Sequence, residues 1–362
     1  MSNDNLEPIS PEDAIEWYQE HRHDELREAT RRTHRYALEI FQAWAEETGL
    51  TNINELGGRD LVAFKTWRKT ETDINTITLN GTLGVLRRFL RFCETIEAVE
   101  EDLAERVPLP NVPPDEEVKT DVPEDQQVEA IRTYYGRFEY ASRCHTQFEL
   151  VAEVGIRLGA LRAIDLEDVR SDERVIHLRH RPEHPDVYGT PLKNGSDGER
   201  IINVSPHLLA ILGDYVGHNR HDVTDEFDRE PLFTTQQGRV STTTVRRDFY
   251  KLTRPCGYDP DCPHDRQIDD CEAVAPAKAM HCPSSFSTHP LRKWAIMNQL
   301  DAGVPKELLS DRVDVSVPVL EKHYDQRSEE RKSRQRREVL ETTMEQYAMT
   351  DGGRPMDEPD GL

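Results

Sequence analysis

Apolar residues recur at helical spacing through residues 10–98. Between residues 27 and 47, Tyr36, Leu38, Ile40, Phe41 and Trp44 make one broad stripe, and Gly49 follows as a stop. Residues 76–98 repeat the pattern with Leu83, Val85, Leu86, Phe89, Leu90 and Phe92, and set Arg87, Arg88 and Arg91 between them. An earlier helix begins at Ser10-Pro11-Glu12-Asp13, where proline at the first helical position forfeits no hydrogen bond. A short helix over residues 60–70 completes a four-helix N-terminal domain, residues 1–98.

The period stops at residues 99–123, which are rich in proline and acid and read as an extended linker. A second domain, residues 124–340, mixes the two periods. Helices are expected at 124–135 and 146–158, then short strands at 174–179, 190–193 and 199–204 around turns that include Asn194-Gly195, then helices at 206–217 and 241–253. Residues 341–362 form a polar tail whose end is expected to lack order. The fold class predicted is mainly α with a small β-sheet: a helical domain followed by an α+β domain.

Charge complicates this picture. The net charge of -23 argues at first against a nucleic-acid partner. Yet 36 of the 46 basic residues are arginine, the side chain whose planar fork bonds two phosphate oxygens at once. Strong acidity with few lysines predicts a halophile protein, soluble in very high salt. No apolar run reaches transmembrane length and the N-terminus lacks a signal-peptide core, so a cytoplasmic protein with no membrane association is expected.

Candidate chemistry concentrates near the C-terminus. His289 and Arg292 lie three apart at the start of a helix, on one face, and together can hold a phosphate. Tyr324 lies beyond a Gly-Val-Pro turn and a second short helix, placed to fold back onto that phosphate. Far upstream, Arg157 offers a second charged fork, and Lys193 sits in a hairpin turn. Attack on a phosphodiester needs its nonbridging oxygens neutralised, a nucleophile aligned and the leaving oxygen protonated. These residue types answer those needs.

Their order and contexts resemble the tyrosine recombinases, or phage integrases. Gly155-Ile156-Arg157 followed by Leu161, Leu166, Asp168 and Val169 fits the family's first box. Lys193-Asn194-Gly195 with Glu199-Arg200 fits its lysine hairpin, His289 and Arg292 its second box, and Tyr324 its nucleophile. The resemblance implies a helical SAM-like core-binding domain ahead of an α+β catalytic domain, the two clamping double-stranded DNA. It implies a site-specific recombinase or integrase that cleaves and rejoins DNA through a 3′-phosphotyrosine, as a homo-oligomer in a tetrameric synapse, with no cofactor for catalysis. Lys193 would protonate the leaving 5′ oxygen. Arginines near exposed helix faces, Arg31, Arg32, Arg35, Arg87 and Arg88, are the DNA-binding candidates of the first domain.

Two positions depart from the family pattern. Ala160 stands where most relatives keep an acid, and Arg312, in Leu309-Ser310-Asp311-Arg312, stands where relatives carry a histidine or tryptophan. Arg312 is therefore the sixth catalytic candidate. Two other readings remain at this stage: a DNA-binding protein whose catalytic set has decayed, and a topoisomerase-like nicking-closing enzyme.

One stretch lies outside this pattern. Cys256, Cys262, Cys271 and Cys282 fall in a loop-like segment with His264 and His281. In an intracellular protein such thiols are free or metal-bound before they are disulfides. Two readings stand: a structural zinc on Cys262, His264, Cys271 and Cys282, with Cys256 the substitute if His264 is exposed, or a loop with free thiols or a disulfide between two of them.

Overall fold

Ser10 caps the first helix, its Oγ accepting the Asp13 N–H at 3.0 Å. The computed structural model describes residues 6, 8–71, 74–111, 122–182, 189–325 and 329–350. The chain divides into two compact units, Met1–Thr120 and Asp121–Leu362.

The first unit packs α1 (Pro11–His21), α2 (Glu28–Thr48), α3 (Gly58–Glu71) and α4 (Thr76–Thr95) around one core. Tyr18, Phe41, Phe64 and Phe89 are fully buried and meet edge to face, Phe41 on Phe64 at 5.5 Å and Tyr18 on Phe89 at 5.6 Å. Each such ring contributes about 1.5–3 kcal/mol by burial. The α2 stripe is shifted from the one expected. Tyr36 is 62% exposed, and the buried face runs through Ala37, Leu38, Phe41, Trp44 and Ala45. At 3.6 residues per turn, position 36 falls outside the arc set by 37, 41 and 44.

The linker expected from residue 99 also begins later. Val99, Leu103, Ala104 and Val107 are buried in the same core, and the Ala104 N–H donates to Glu94 Oε1 at 2.8 Å. Its aliphatic residues find an open face on α4, which a proline-rich composition does not announce. Residues 112–121 of that linker, and 351–362 of the expected tail, lie outside the described residues.

The second unit opens with α5 (Asp125–Phe138) and α6 (Arg143–Val154), the latter capped by Ser142. The continuous helix expected over residues 146–158 is broken, because Gly155 takes a left-handed conformation at φ 69° and α7 (Leu158–Ala163) starts anew. Next comes an antiparallel three-stranded sheet in the order β1 (Val169–Arg170), β2 (Val175–Leu178), β3 (Arg200–Asn203). Its register pairs Ile176 with Ile202. The strand expected at 190–193 does not form: Thr190 makes a single bridge to Arg181, and the third strand is β1 instead.

Then follow α8 (Pro206–Asp214), the small hairpin β4 (Thr234–Thr235) and β5 (Gly238–Arg239), and α9 (Thr242–Thr253). The unit ends with α10 (Thr288–Asp301), α11 (Lys306–Val313), α12 (Val317–His323) and α13 (Glu329–Thr350). Helix α13 runs through part of the expected tail. Mainly α with a small sheet is the fold observed. Among the described residues no helix is long and apolar enough to cross a membrane.

Candidate active site

Gly155 organises the site. Besides its φ, it has little room for a side chain: a Cβ there would lie 3.3 Å from Ile296 Cγ1 and 3.5 Å from Val313 Cγ1. The end of α6 therefore meets α10 and α11 backbone-close. Arg157, two residues on, is the N-cap residue of α7 and leaves its guanidinium in the cleft. Arg292, on the first turns of α10, is 2% exposed and reaches under this junction. It donates to the Gly155 carbonyl and, at 2.8 Å, to the Val313 carbonyl, and it hydrogen-bonds the Tyr324 side chain.

Tyr324 follows α12 and is 7% exposed, packed with Ile296, Leu300, Leu309, Val313, Val315 and Leu320. Its ring is thus held by an apolar cluster while its hydroxyl lies at Arg292. Lys193 stands exposed on the loop between β2 and β3, ahead of the turn at Gly195, whose φ is 65°. His289 lies one turn before Arg292. All five side chains, Arg157, Lys193, His289, Arg292 and Tyr324, line one open cleft of about 650 Å³.

Burial, and after it the neighbouring positive charges, sets the pKa values in the cleft. Burial and then Arg157 lower the Arg292 pKa to about 10, which leaves it charged at neutral pH. His289 is lowered too, first by partial burial, then by Lys293, Arg292, Lys193 and Arg157. Its neutral form is favoured, although the ring edge reaches solvent.

Residues 15–95 match the family model of the phage integrase N-terminal SAM-like domain. A putative integrase/recombinase, y4rB of Sinorhizobium fredii, is 32% identical over 111 residues, 30% of this chain and 31% of that protein. Tyrosine recombinase XerC of Chlamydia trachomatis is 22% identical over 207 residues, 55% of this chain and 58% of that protein. The chain thus spans about a third of the one relative and somewhat over half of the other. The Tn1549 transposon integrase, solved in complex with transposon right end DNA, covers 92% of this chain at a TM-score of 0.66 and 14% identity, over 100% of its own length. A lambda integrase dimer bound to a COC′ core site gives 0.62 at 10% identity, over 90% of this chain and 80% of that one. Residues 15–95 thus match a phage integrase domain, and the chain shares its fold with the solved integrases.

Arg312 stands apart from the other five candidates. It does not line the cleft; its Nη1 donates to the Asn203 carbonyl on β3 at 2.8 Å, and its own carbonyl accepts from Arg200 Nε at 2.8 Å. It lies near the end of α11 with its side chain turned to the sheet, so it ties α11 to β3. The residue that the sequence did not flag is Asp314. It caps α11 in the left-handed region at φ 54°, and its carboxylate accepts from Arg157 Nη1 and, at 2.7 Å, from Asn194 Nδ2. Arg246 on α9 also lines the cleft. Its signal was legible, since Arg246 lies on a clearly amphipathic helix, but nothing local pointed to Asp314.

The arginines proposed for the first unit divide into two groups. Arg32, Arg35 and Arg88 are exposed, and Arg31 is half-buried. Arg87 is paired with Glu105, which also takes Arg91 at 2.7 Å. Arg88 and Arg22 both act on His34, whose pKa is lowered by burial first; His34 Nδ1 lies 2.9 Å from the Tyr18 hydroxyl.

In the cysteine segment, Cys262, His264, Cys271 and Cys282 line one small cavity, and Cys256 joins them. His264 Nε2 is engaged with Ser284 Oγ at 3.0 Å. Among the described residues, no group of three or more His, Cys, Asp or Glu side chains is placed closely enough to hold a metal ion as it stands.

Proposed function

We propose that this chain is a site-specific DNA strand transferase working through a covalent phosphotyrosine. The observation that carries the reading is the single cleft that gathers Arg157, Lys193, the His289–Arg292 pair and Tyr324 from four separate places in the sequence. Arg157 and Arg292 hold the nonbridging oxygens of the scissile phosphate, where their charge counts most as the phosphorus becomes five-coordinate. Tyr324 Oη attacks phosphorus, and the bond to the 5′ oxygen breaks. His289, held neutral by its surroundings, accepts the phenolic proton. Lys193 gives a proton to the leaving 5′ oxygen. A 5′ hydroxyl from a partner strand then attacks the phosphotyrosine and regenerates the phenol. No cofactor takes part in these steps.

Duplex DNA is the substrate in this reading, gripped outside the cleft by exposed arginines such as Arg32, Arg35 and Arg88. Strand exchange requires further copies of the chain on the same DNA. A cytoplasmic, high-salt setting accords with the arginine-rich, strongly acidic composition.

Tyr324→Phe tests the reading. On a nicked suicide duplex that prevents religation, the wild-type chain should form a protein–DNA adduct stable to denaturant. The variant should bind the duplex equally and form none, since it loses one hydrogen bond from Arg292, about 1–2 kcal/mol of stability, and keeps its apolar packing. An undiminished adduct in Tyr324→Phe, or no adduct in the wild type, refutes it.

A further inference from the structure

The segment between α9 and α10, residues 254–287, has little of its own to hold it together. Its regular structure is limited to 3₁₀ turns of at most six residues, and its backbone hydrogen bonds are mostly local. Its buried apolar side chains are few, chiefly Ala273, Ala279, Cys282 and Phe286. Yet it leads directly into the turn that presents His289 and Arg292.

Four thiols converge where a core is missing. Cys256, Cys262, Cys271 and Cys282 line one cavity of about 10 Å³, room for a single water-sized particle. A second observation points into the same place. Arg254 is nine-tenths buried beside this cavity, donates through Nη1 to the Ala273 carbonyl, and has a buried Nε with no acceptor. An orphaned guanidinium nitrogen beside a cluster of sulfurs is a donor suited to a thiolate. Arg266 lines the same cavity and adds a second positive charge.

We propose that Cys256, Cys262, Cys271 and Cys282 bind one zinc ion as a structural staple of this segment. Four thiolate ligands with no water position are a closed, tetrahedral structural set. Room for one particle favours a single ion over an iron–sulfur cluster, the other common partner of four cysteines. Binding draws the four sulfurs in to about 2.3 Å from the metal. Four thiol protons leave as Zn²⁺ enters, so the centre carries two negative charges, and Arg254 and Arg266 stand next to it to offset them. His264 is outside the set because its ring nitrogen is engaged by Ser284. Intervals of five, eight and ten residues between the cysteines match no compact zinc motif, which is why the set emerges only in three dimensions.

The test is elemental analysis of the full chain, purified under reducing conditions without chelator. About one zinc per chain is expected. Cys256→Ser and Cys271→Ser should each hold less than about a tenth of an equivalent, and His264→Ala should keep its zinc. Stripping the metal from the wild-type chain should lower its melting temperature by about 5 °C or more. If the serine variants do not fold, cobalt substitution of the wild-type chain replaces them, and should give the spectrum of a tetrahedral thiolate site. Zinc below a tenth of an equivalent after reconstitution, disulfides among these cysteines, an iron chromophore, or metal loss without change in melting temperature would each overturn the proposal. None of these readouts depends on DNA cleavage, so failure here is separable from failure of the recombinase reading.

Discussion

Replacing Asp314 by asparagine should slow DNA cleavage about tenfold while leaving DNA affinity nearly unchanged. The carboxylate serves two donors at once, Arg157 on α7 and Asn194 on the loop beside Lys193. It thereby fixes the distance between the charge that receives the phosphate and the lysine proposed to protonate the leaving oxygen. Asparagine keeps the shape and tolerates the left-handed φ of 54°, where alanine would add backbone strain. It has one acceptor oxygen for two donors, and it removes the charge. The pair is partly shielded, with Arg157 and Asp314 side chains 24% and 14% exposed. A charge-assisted bond in such a place is worth about 1.5–3 kcal/mol, and residual solvent screening brings the loss to about 1–2 kcal/mol. If that energy is spent on orientation, about 1.4 kcal/mol of it appears in the barrier, which is tenfold in rate. Arg157 engages Asp314 through Nη1, which leaves the rest of its fork for phosphate, so binding itself should change little. Single-turnover cleavage of a suicide duplex, beside a binding titration, separates the two effects. A faster reaction with tighter binding would mean that the carboxylate competes with phosphate, and an unchanged rate would mean that it does nothing; either refutes the argument.

Lys193→Ala should cleave ordinary DNA poorly and recover on DNA whose 5′ bridging oxygen is sulfur, a leaving group that needs no proton. Equal impairment on both substrates would remove the lysine as the acid. With a net charge of -23, the chain should loosen through self-repulsion in dilute buffer, so its melting temperature should rise with salt while its DNA affinity falls. Cleavage should then peak at high salt, and a maximum in dilute buffer by a well-folded chain would contradict the halophile reading.

Much of the candidate site was legible because the proposed chemistry calls for residue types that have few other reasons to occur in that order. Arg157, His289, Arg292 and Tyr324 could be picked out by context, and they do share a cleft. Arg312 could not be judged from its position in the string. One helical turn decides whether a side chain faces the cleft or the sheet, and here it faces Asn203. Asp314 was invisible for the opposite reason: its partners lie 157 and 120 residues away. The fold was legible in its helices and less so in its strands. Helix α6 was drawn too long because Gly155 sits in an otherwise continuous apolar pattern, and only the close approach of Ile296 and Val313 explains the break. Strand β1, two residues long, is below what an alternating pattern can signal.

The junction at Gly155 has a bearing on how such a site can change. One backbone carbonyl anchors Arg292, and the same turn launches Arg157 two residues later. The two guanidiniums are therefore spaced by main-chain geometry and not by side-chain choice. A mutation that shifts this turn carries both arms together, and a mutation elsewhere finds little leverage on the gap between them. Displacing this one turn should therefore register as a joint loss of both charges, whereas Lys193 is carried on a different loop, between β2 and β3.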